Sequence, residues 1–192
     1  MWQKVKEDPI SVSASEKLDI VMELDEAQKV DDKVVNTNSV YSDGKRVYHL
    51  VNTLGTRLAW DEIRTILMVQ PVVRDESTVQ YDYAIRSGSK GYELVREIDP
   101  VDFAGTCAHS ALKLLEAEKP PSGKLKVIMD GDVAGLIAHE VCGHASEADE
   151  VVKERSFLTG MVGKKIASDM VTMIDDGTLE GPQGRIPFDS EG

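Results

Sequence analysis

The run from His139 to His144 reads His-Glu-Val-Cys-Gly-His and places two imidazoles and a carboxylate close together in the chain. Histidine nitrogen is a common zinc ligand, and a carboxylate beside a metal can act as the general base for an attacking water. The run therefore indicates metal-assisted hydrolysis, with His139 and His144 as metal ligands and Glu140 as the base. The familiar form of this motif, H-E-x-x-H, is one residue shorter.

The additional residue changes how the two histidines face each other. At about 100° per residue, His139 and His144 stand about 140° apart on a regular α-helix, which is too far for chelation from one face. A π-bulge brings residues i and i+5 closer together, and such bulges often occur at functional sites. We therefore predict a locally widened helix around Gly143, which has no side chain to resist the distortion.

A second metal site can be drawn from the same residues. Glu140, His144 and Glu147 stand at i, i+4 and i+7 and form one stripe on a helix. They could hold a metal with two carboxylates and one imidazole, and a preference for manganese or iron would favour this set. We favour the two-histidine site because imidazole suits zinc better than paired carboxylates do. Glu147 or Asp149 either orients a ligand imidazole through its second nitrogen or forms part of a solvated helix surface.

The motif needs a helix to carry it, and we predict one over roughly residues 132–149. Small side chains recur on one side of this helix and would let it lie close against a neighbouring element. They are Ala134, Ala138, Val141, Ala145 and Ala148. The pattern also predicts a strand over 124–130 before the helix and another over 169–175 after it. Residues 176–192 contain several glycines and prolines and are predicted to be loop.

The first half of the chain carries a helix–sheet–helix pattern. Ser13 and Glu16 form a capping box that predicts a helix over 13–30. Short alternating runs between residues 33 and 88 predict an antiparallel sheet, and Ser-Asp-Gly-Lys at 42–45 predicts a hairpin turn. Asp99 and Pro100 then predict the start of a second helix, which extends roughly to Lys119.

These elements predict an α+β fold, in which a helix, an antiparallel β-meander and a second helix precede the strand, motif helix and strand of another region. The run Pro120-Pro121-Ser122-Gly123 is a linker. We therefore expect one domain over 1–119 and the beginning of a metalloprotease domain over 120–192.

The charge and the hydrophobic pattern of the chain argue against a nucleic-acid-binding protein and a membrane-spanning protein. The chain has 192 residues, of which 34 are acidic and 22 basic, and its net charge of −12 disfavours direct binding to nucleic acid. No apolar run approaches the ~20 residues that span a bilayer, and the first residues lack the apolar stretch of a signal peptide. We therefore expect a cytoplasmic protein. Cys107 and Cys142 are too far apart for a cysteine-only zinc site, and we interpret Cys142 as a small apolar residue.

From residue 121 onward, the chain resembles the TldD/PmbA family in the order and spacing of its segments. These segments are 121–124, 134–149, 162–163, 167–168, 175–178 and 188–192. The resemblance implies a cytoplasmic zinc metalloprotease of the TldD type, in which His139 and His144 bind zinc and Glu140 is the general base. It also implies a cysteine as third ligand nearer the C-terminus. We therefore expect this chain to be an internal fragment whose third ligand lies beyond Gly192. The full-length protein is expected to be the active peptidase, and the fragment alone is expected to be inactive.

The resemblance further implies peptides or unfolded polypeptide segments as substrates, threaded into a closed dimeric chamber. The expected partner is a PmbA/TldE-type relative or a second copy of the chain. The family also carries the older label of modulator of DNA gyrase. An alternative to an enzyme is a non-catalytic interaction or dimerisation module, built from the sheet and the alanine-faced helix. Stoichiometric zinc in the full-length protein, lost when His139 or His144 is changed to Ala, would separate the enzyme from this module.

Overall fold

The computed structural model describes residues 5–179, 186–189 and 192. The chain forms two compact units, one of Met1–Lys119 with Gly177–Gly192 and the other of Pro120–Asp176. The first unit combines helices with an antiparallel sheet, which confirms the predicted α+β class. No helix among the described residues is both long and apolar enough to span a bilayer.

The first helix, α1, spans Ala14–Ala27. Ser13 begins it as predicted, because its hydroxyl oxygen accepts a hydrogen bond of 3.2 Å from the Glu16 N–H. The carboxylate of Glu16 pairs with Arg96. Of the predicted capping box, the structure therefore shows the hydrogen bond to the Ser13 side chain, while the Glu16 side chain binds Arg96 instead. The helix ends three residues before the predicted limit.

The sheet is a meander dominated by two long strands. Strands β1 (Val34–Val51) and β2 (Arg57–Asp75) pair antiparallel along almost their whole length. On the other side of β2, β3 (Thr78–Tyr81) pairs with residues 72–75 and β4 (Ala84–Gly88) pairs with residues 65–69. The predicted antiparallel meander is confirmed, but its first two strands are much longer than the short runs suggested.

The hairpin turn predicted at residues 42–45 is wrong. β1 continues through this stretch, with Gly44 opposite Arg64. The carboxylate of Asp43 binds the Lys17 ammonium of α1 at 2.6 Å, so it does not close a turn. The chain reverses ten residues later, where the Asn52 side-chain oxygen accepts 3.0 Å hydrogen bonds from the N–H groups of Leu54 and Thr56.

Strands β3 and β4 share one register and are separated by a gap opposite Pro71. Val72 pairs with Tyr81 and Val69 with Ala84, so the offset between partners is the same on both sides of the gap. Proline has no N–H to donate to a neighbouring strand. Pro71 therefore interrupts the strand beside it, whereas β2, which contains it, runs through unbroken.

Two further helices complete this unit. The short helix α2 spans Glu93–Arg96 and was not predicted. Helix α3 spans Pro100–Leu115 and begins as predicted, since the Asp99 carboxylate accepts hydrogen bonds from the N–H groups of the next turn. It ends four residues before the predicted limit. The core lies between α1, α3 and one face of β2, and its buried members include Leu24, Leu67, Val69, Tyr92 and Ala104.

The N-terminal segment is attached to α2 by one buried carboxylate. Glu93 accepts hydrogen bonds from the backbone N–H groups of Lys6 at 3.2 Å and Glu7 at 3.1 Å. These bonds lower the pKa of the Glu93 carboxyl, although its burial acts in the opposite direction. The backbone of Gly91 lies so close to the Glu7 carbonyl that a Cβ atom there would be 2.0 Å from its oxygen.

The second unit is built around the motif. Helix α4 spans Gly131–Ala138, and α5 spans Ala148–Val152. The strands predicted over 124–130 and 169–175 do not form, and among the described residues neither stretch pairs with another in a ladder. None of the described residues of α4 is buried, although Ala138 at its end is partly covered.

Candidate metal centre

The motif begins where α4 ends. Helix α4 is capped by Asp130, whose carboxylate accepts a 2.9 Å hydrogen bond from the Val133 N–H. From His139 to Gly143 the backbone forms a π-helical turn, and the His144 N–H donates to the carbonyl of His139, five residues earlier. The predicted widening of the helix within the motif is therefore confirmed. The predicted continuous helix over 132–149 is divided into four short segments.

The π-helical turn brings the two imidazoles together. Their ring centroids are 4.5 Å apart and their planes are inclined by 74°. One ligand atom each from His139, Glu140 and His144 lies within 4.8 Å of the other two. A regular helix would hold these imidazoles about 140° apart. The extra residue of the motif is thus absorbed by the wider turn.

The two nearby glutamates approach opposite nitrogens of His144. The Nδ1–H of His144 donates a 2.7 Å hydrogen bond to Glu147, while Nε2 lies 3.8 Å from a carboxylate oxygen of Glu140. The Asp149 carboxylate pairs with Lys153 at 3.0 Å and takes no part in this arrangement. The group of potential metal ligands found among the described residues holds His139, Glu140 and His144, without Glu147.

The charge around His144 favours its protonated form. The hydrogen bond to Glu147 raises the pKa of His144, and the negative charges of Glu147 and Glu140 add to this effect. The side chains of His144 and Glu147 are each about half exposed, at 54% and 52%. A cation that binds at Nε2 would replace the proton that the two carboxylates now favour.

Two serines outside the predicted site support the turn after the motif. The Ser146 hydroxyl donates to the Gly143 carbonyl at 2.9 Å, and the Ser156 hydroxyl donates to the Ala145 carbonyl. A change from π to 3₁₀ geometry alters the ordinary helical pairing of carbonyls, and these hydroxyls supply partners. The position of Ser146 next to the motif was a usable signal. Ser156 lies outside it, and no local pattern marks it.

Among the described residues, the group of potential metal ligands includes neither His109 nor either cysteine. His109 sits in α3, where its Nδ1–H donates to the Gly105 carbonyl at 2.7 Å. Cys107 is buried in the core, and burial together with the nearby Asp82 raises the pKa of its thiol to about 11. Cys142 is half-buried and carries a free thiol.

Comparison with protein families accounts for most of the chain. Residues 7–115 match the PmbA/TldA metallopeptidase central domain, and residues 122–192 match the PmbA/TldA metallopeptidase C-terminal domain. Similar proteins include a metalloprotease of Methanothermobacter thermautotrophicus, 35% identical over 184 residues, and a metalloprotease of Methanocaldococcus jannaschii, 35% identical over 189 residues. The matches cover 96% and 97% of this chain, but 40% and 41% of those proteins.

Solved structures agree on the fold. A crystal structure described as a putative modulator of DNA gyrase from Bacteroides thetaiotaomicron superposes with a TM-score of 0.72 at 18% identity, covering 88% of this chain and 38% of that one. A second, from Thermotoga maritima and described in the same way, gives a TM-score of 0.65 at 21% identity, covering 82% and 36%. From the matches to both domain models, the chain belongs to the PmbA/TldD metallopeptidase family.

Proposed function

We propose that this chain carries part of the active centre of a zinc-dependent peptidase of the TldD type, with His139 and His144 as zinc ligands and Glu140 as general base. The observation that supports this proposal most directly is the His139–Glu140–His144 group, whose ligand atoms lie within 4.8 Å of one another. The two imidazoles match the donor preference of zinc. Relatives named metalloproteases strengthen the proposal.

The residues present fit such an ion. His144 uses Nδ1 for Glu147, which leaves Nε2 as its ligand atom, and His139 lies across the π-helical turn from it. When bound, zinc would supply Lewis acidity for hydrolysis of an amide bond. Glu140 would accept the proton of the attacking water and later deliver it to the leaving amine. Catalytic zinc sites usually have three protein ligands, and we propose that a residue outside this group supplies the third.

The chain spans about two fifths of the length of the relatives it matches, so the activity of the whole protein remains a proposal. We propose that it hydrolyses peptides or unfolded polypeptide segments in the cytoplasm. The proposed assembly is a dimer, with either a PmbA/TldE-type relative or a second copy. We also propose a domain boundary near residue 119, with 1–119 and 120–192 as the two parts.

The test compares three single variants of the full-length protein with the wild type. Zinc content is measured by mass spectrometry after dialysis, and cleavage is measured on an unfolded polypeptide in the presence of a PmbA-type relative. We expect stoichiometric zinc in the wild type, loss of zinc in His139→Ala and His144→Ala, and a zinc-loaded but inactive Glu140→Gln.

His109→Ala is the matched control, because this histidine lies in α3 with its ring bound to a backbone carbonyl. It should keep both zinc and activity. A wild-type protein without zinc or cleavage would instead support the interaction module. Tighter binding of manganese or iron would support the set of Glu140, His144 and Glu147.

A further inference from the structure

We propose that Glu147 is a positioning residue, which holds His144 in the Nδ1–H tautomer and so presents its Nε2 to the metal. This inference rests on the proposed function and extends it to a residue outside the H-E-x-x-x-H run. The observation behind it is the 2.7 Å hydrogen bond from the Nδ1–H of His144 to the Glu147 carboxylate.

The backbone explains why Glu147 reaches this nitrogen. After the π-helical turn, residues 144–146 form a single 3₁₀ turn, and the Glu147 N–H donates to the His144 carbonyl at 3.3 Å. A 3₁₀ turn has three residues, so the side chains of His144 and Glu147 lie on the same side of it. The Ser146 hydroxyl holds this turn by its bond to the Gly143 carbonyl.

The chemistry of an imidazole gives the hydrogen bond its consequence. In a neutral imidazole one nitrogen carries the proton and the other is free to bind a metal. The hydrogen bond made by one nitrogen determines which of them is the ligand, and a carboxylate partner also makes the imidazole a stronger base. A carboxylate oxygen of Glu140 lies 3.8 Å from Nε2, on the side of the ring that would face the metal. Glu147 therefore binds one nitrogen of His144, and Glu140 lies near the other.

Asp149 provides a matched comparison. It is two residues beyond Glu147 and similarly exposed, but its carboxylate binds Lys153 and does not contact a histidine. Replacing either acid with its amide removes one negative charge close to the motif. A difference between the two amide variants therefore reports the contact with His144 rather than the local charge.

The first measurement uses metal-free protein with nitrogen-15 labelled histidine, at a pH where His144 is neutral. We expect wild-type His144 to show a protonated Nδ1 and a bare Nε2. Glu147→Ala should show a mixture of tautomers. Glu147→Gln should keep the wild-type tautomer, because its amide oxygen still accepts a hydrogen bond, and Asp149→Asn should match the wild type.

The second measurement is zinc affinity by competition with a chromophoric chelator. Glu147→Ala should raise the zinc dissociation constant by about 10- to 100-fold, the usual effect of losing such a partner. Glu147→Gln should fall between Ala and wild type, and Asp149→Asn should be unchanged.

An unchanged tautomer and affinity in Glu147→Ala would overturn this inference while leaving the proposed function intact. A wild-type protein that binds no zinc would contradict the proposed function, and the tautomer measurement would still test Glu147. Circular dichroism of each variant shows whether it is folded. If Glu147→Ala is unfolded, the zinc affinity of Glu147→Gln, compared with that of Asp149→Asn, still tests the inference.

Discussion

His139 and His144 face each other across one π-helical turn, with ring centroids 4.5 Å apart. Gly143 lies inside this turn with a φ of −57°, a value that any residue adopts. A Cβ atom added there would meet His139 Nδ1 at 3.7 Å, an ordinary contact. The geometry of the turn therefore does not itself require a glycine.

This relationship predicts that Gly143→Ala keeps the wild-type zinc affinity and gains about 1 kcal/mol of local helix stability. Zinc titration and thermal unfolding of the variant measure both. If Gly143→Ala folds but loses zinc, the space beside His139 is occupied by the metal or its water. Gly135→Ala in α4 serves as the control, because a Cβ there would meet nothing within 4 Å.

The second prediction concerns the protonation of His144. Because Glu147 raises the pKa of His144 in the metal-free protein, the apparent zinc affinity should begin to fall once the pH drops below this raised value. In metal-free Glu147→Gln the pKa of His144 should fall toward its ordinary value, as followed by NMR titration of its ring protons. Asp149→Asn should move it much less, since Asp149 pairs with Lys153. Equal shifts in both variants would mean that net charge, not the contact, sets the pKa.

A third prediction follows from Glu93. Its pKa is lowered in the folded protein, so its stabilisation is complete above the unfolded value of about 4.3 and is lost as the pH falls through the folded value. Glu93→Gln should therefore reduce the free energy of unfolding by about 1.5–3 kcal/mol at pH 7, with a smaller difference near pH 3. Urea unfolding at both pH values provides the measurement.

The control for Glu93 is Glu97, which pairs with Lys90 at the surface. An exposed ion pair contributes little, so Glu97→Gln should change the free energy of unfolding by less than about 1 kcal/mol. Similar effects from both variants would show that the bonds from Lys6 and Glu7 to Glu93 do not stabilise the fold.

The fourth prediction compares two glycines of the first unit. A Cβ at Gly91 would lie 2.0 Å from the Glu7 oxygen, whereas a Cβ at Gly44 would meet nothing within 4 Å. Gly91→Ala should therefore destabilise the protein by about 1–3 kcal/mol, since backbone must move. Gly44→Ala should stabilise it by up to about 1 kcal/mol, because alanine suits a strand interior better. Thermal unfolding that ranked them in the opposite order would refute the close approach at Gly91.

The fifth prediction separates the two thiols. Cys107 is buried, and its pKa of about 11 leaves almost no thiolate at neutral pH. In native protein at pH 7.5, a thiol reagent should modify Cys142 quickly and Cys107 only after denaturant is added. Counting modified thiols before and after denaturation, with Cys142→Ala as the control, provides the check. Rapid modification of Cys107 would mean that α3 opens readily.

Local rules predicted the beginnings of elements well. Ser13 and Asp99 cap their helices because an N-cap depends on residues within one turn of it. The π-helical turn was also predictable, because the spacing of His139 and His144 leaves a regular helix unable to bring them together.

Features that depend on distant residues were not predictable. Asp-Gly at 43–44 is a strong local turn signal, yet pairing with a second long strand keeps it extended. The reversal between β2 and β3 occurs at Glu76, whose φ is 48°, without the glycine or asparagine that usually marks such a turn. The stretch 124–130 has the composition of a strand, but a strand also needs a partner, and composition does not reveal one.

The limited length over which β4 pairs with β2 has a consequence for local unfolding of the protein. Strand β4 pairs with β2 only from Thr65 onward, so among the described residues the far half of the β1–β2 hairpin pairs as a two-stranded ribbon. Such ribbons are marginally stable alone. In this one the Trp60 ring stacks on that of Tyr48, with centroids 4.7 Å apart, and its centroid is 5.7 Å from that of the Phe188 ring. The amide hydrogens of the ribbon should exchange with solvent well before those of the sheet beneath α3, so that the molecule begins to open at the tip of its longest hairpin.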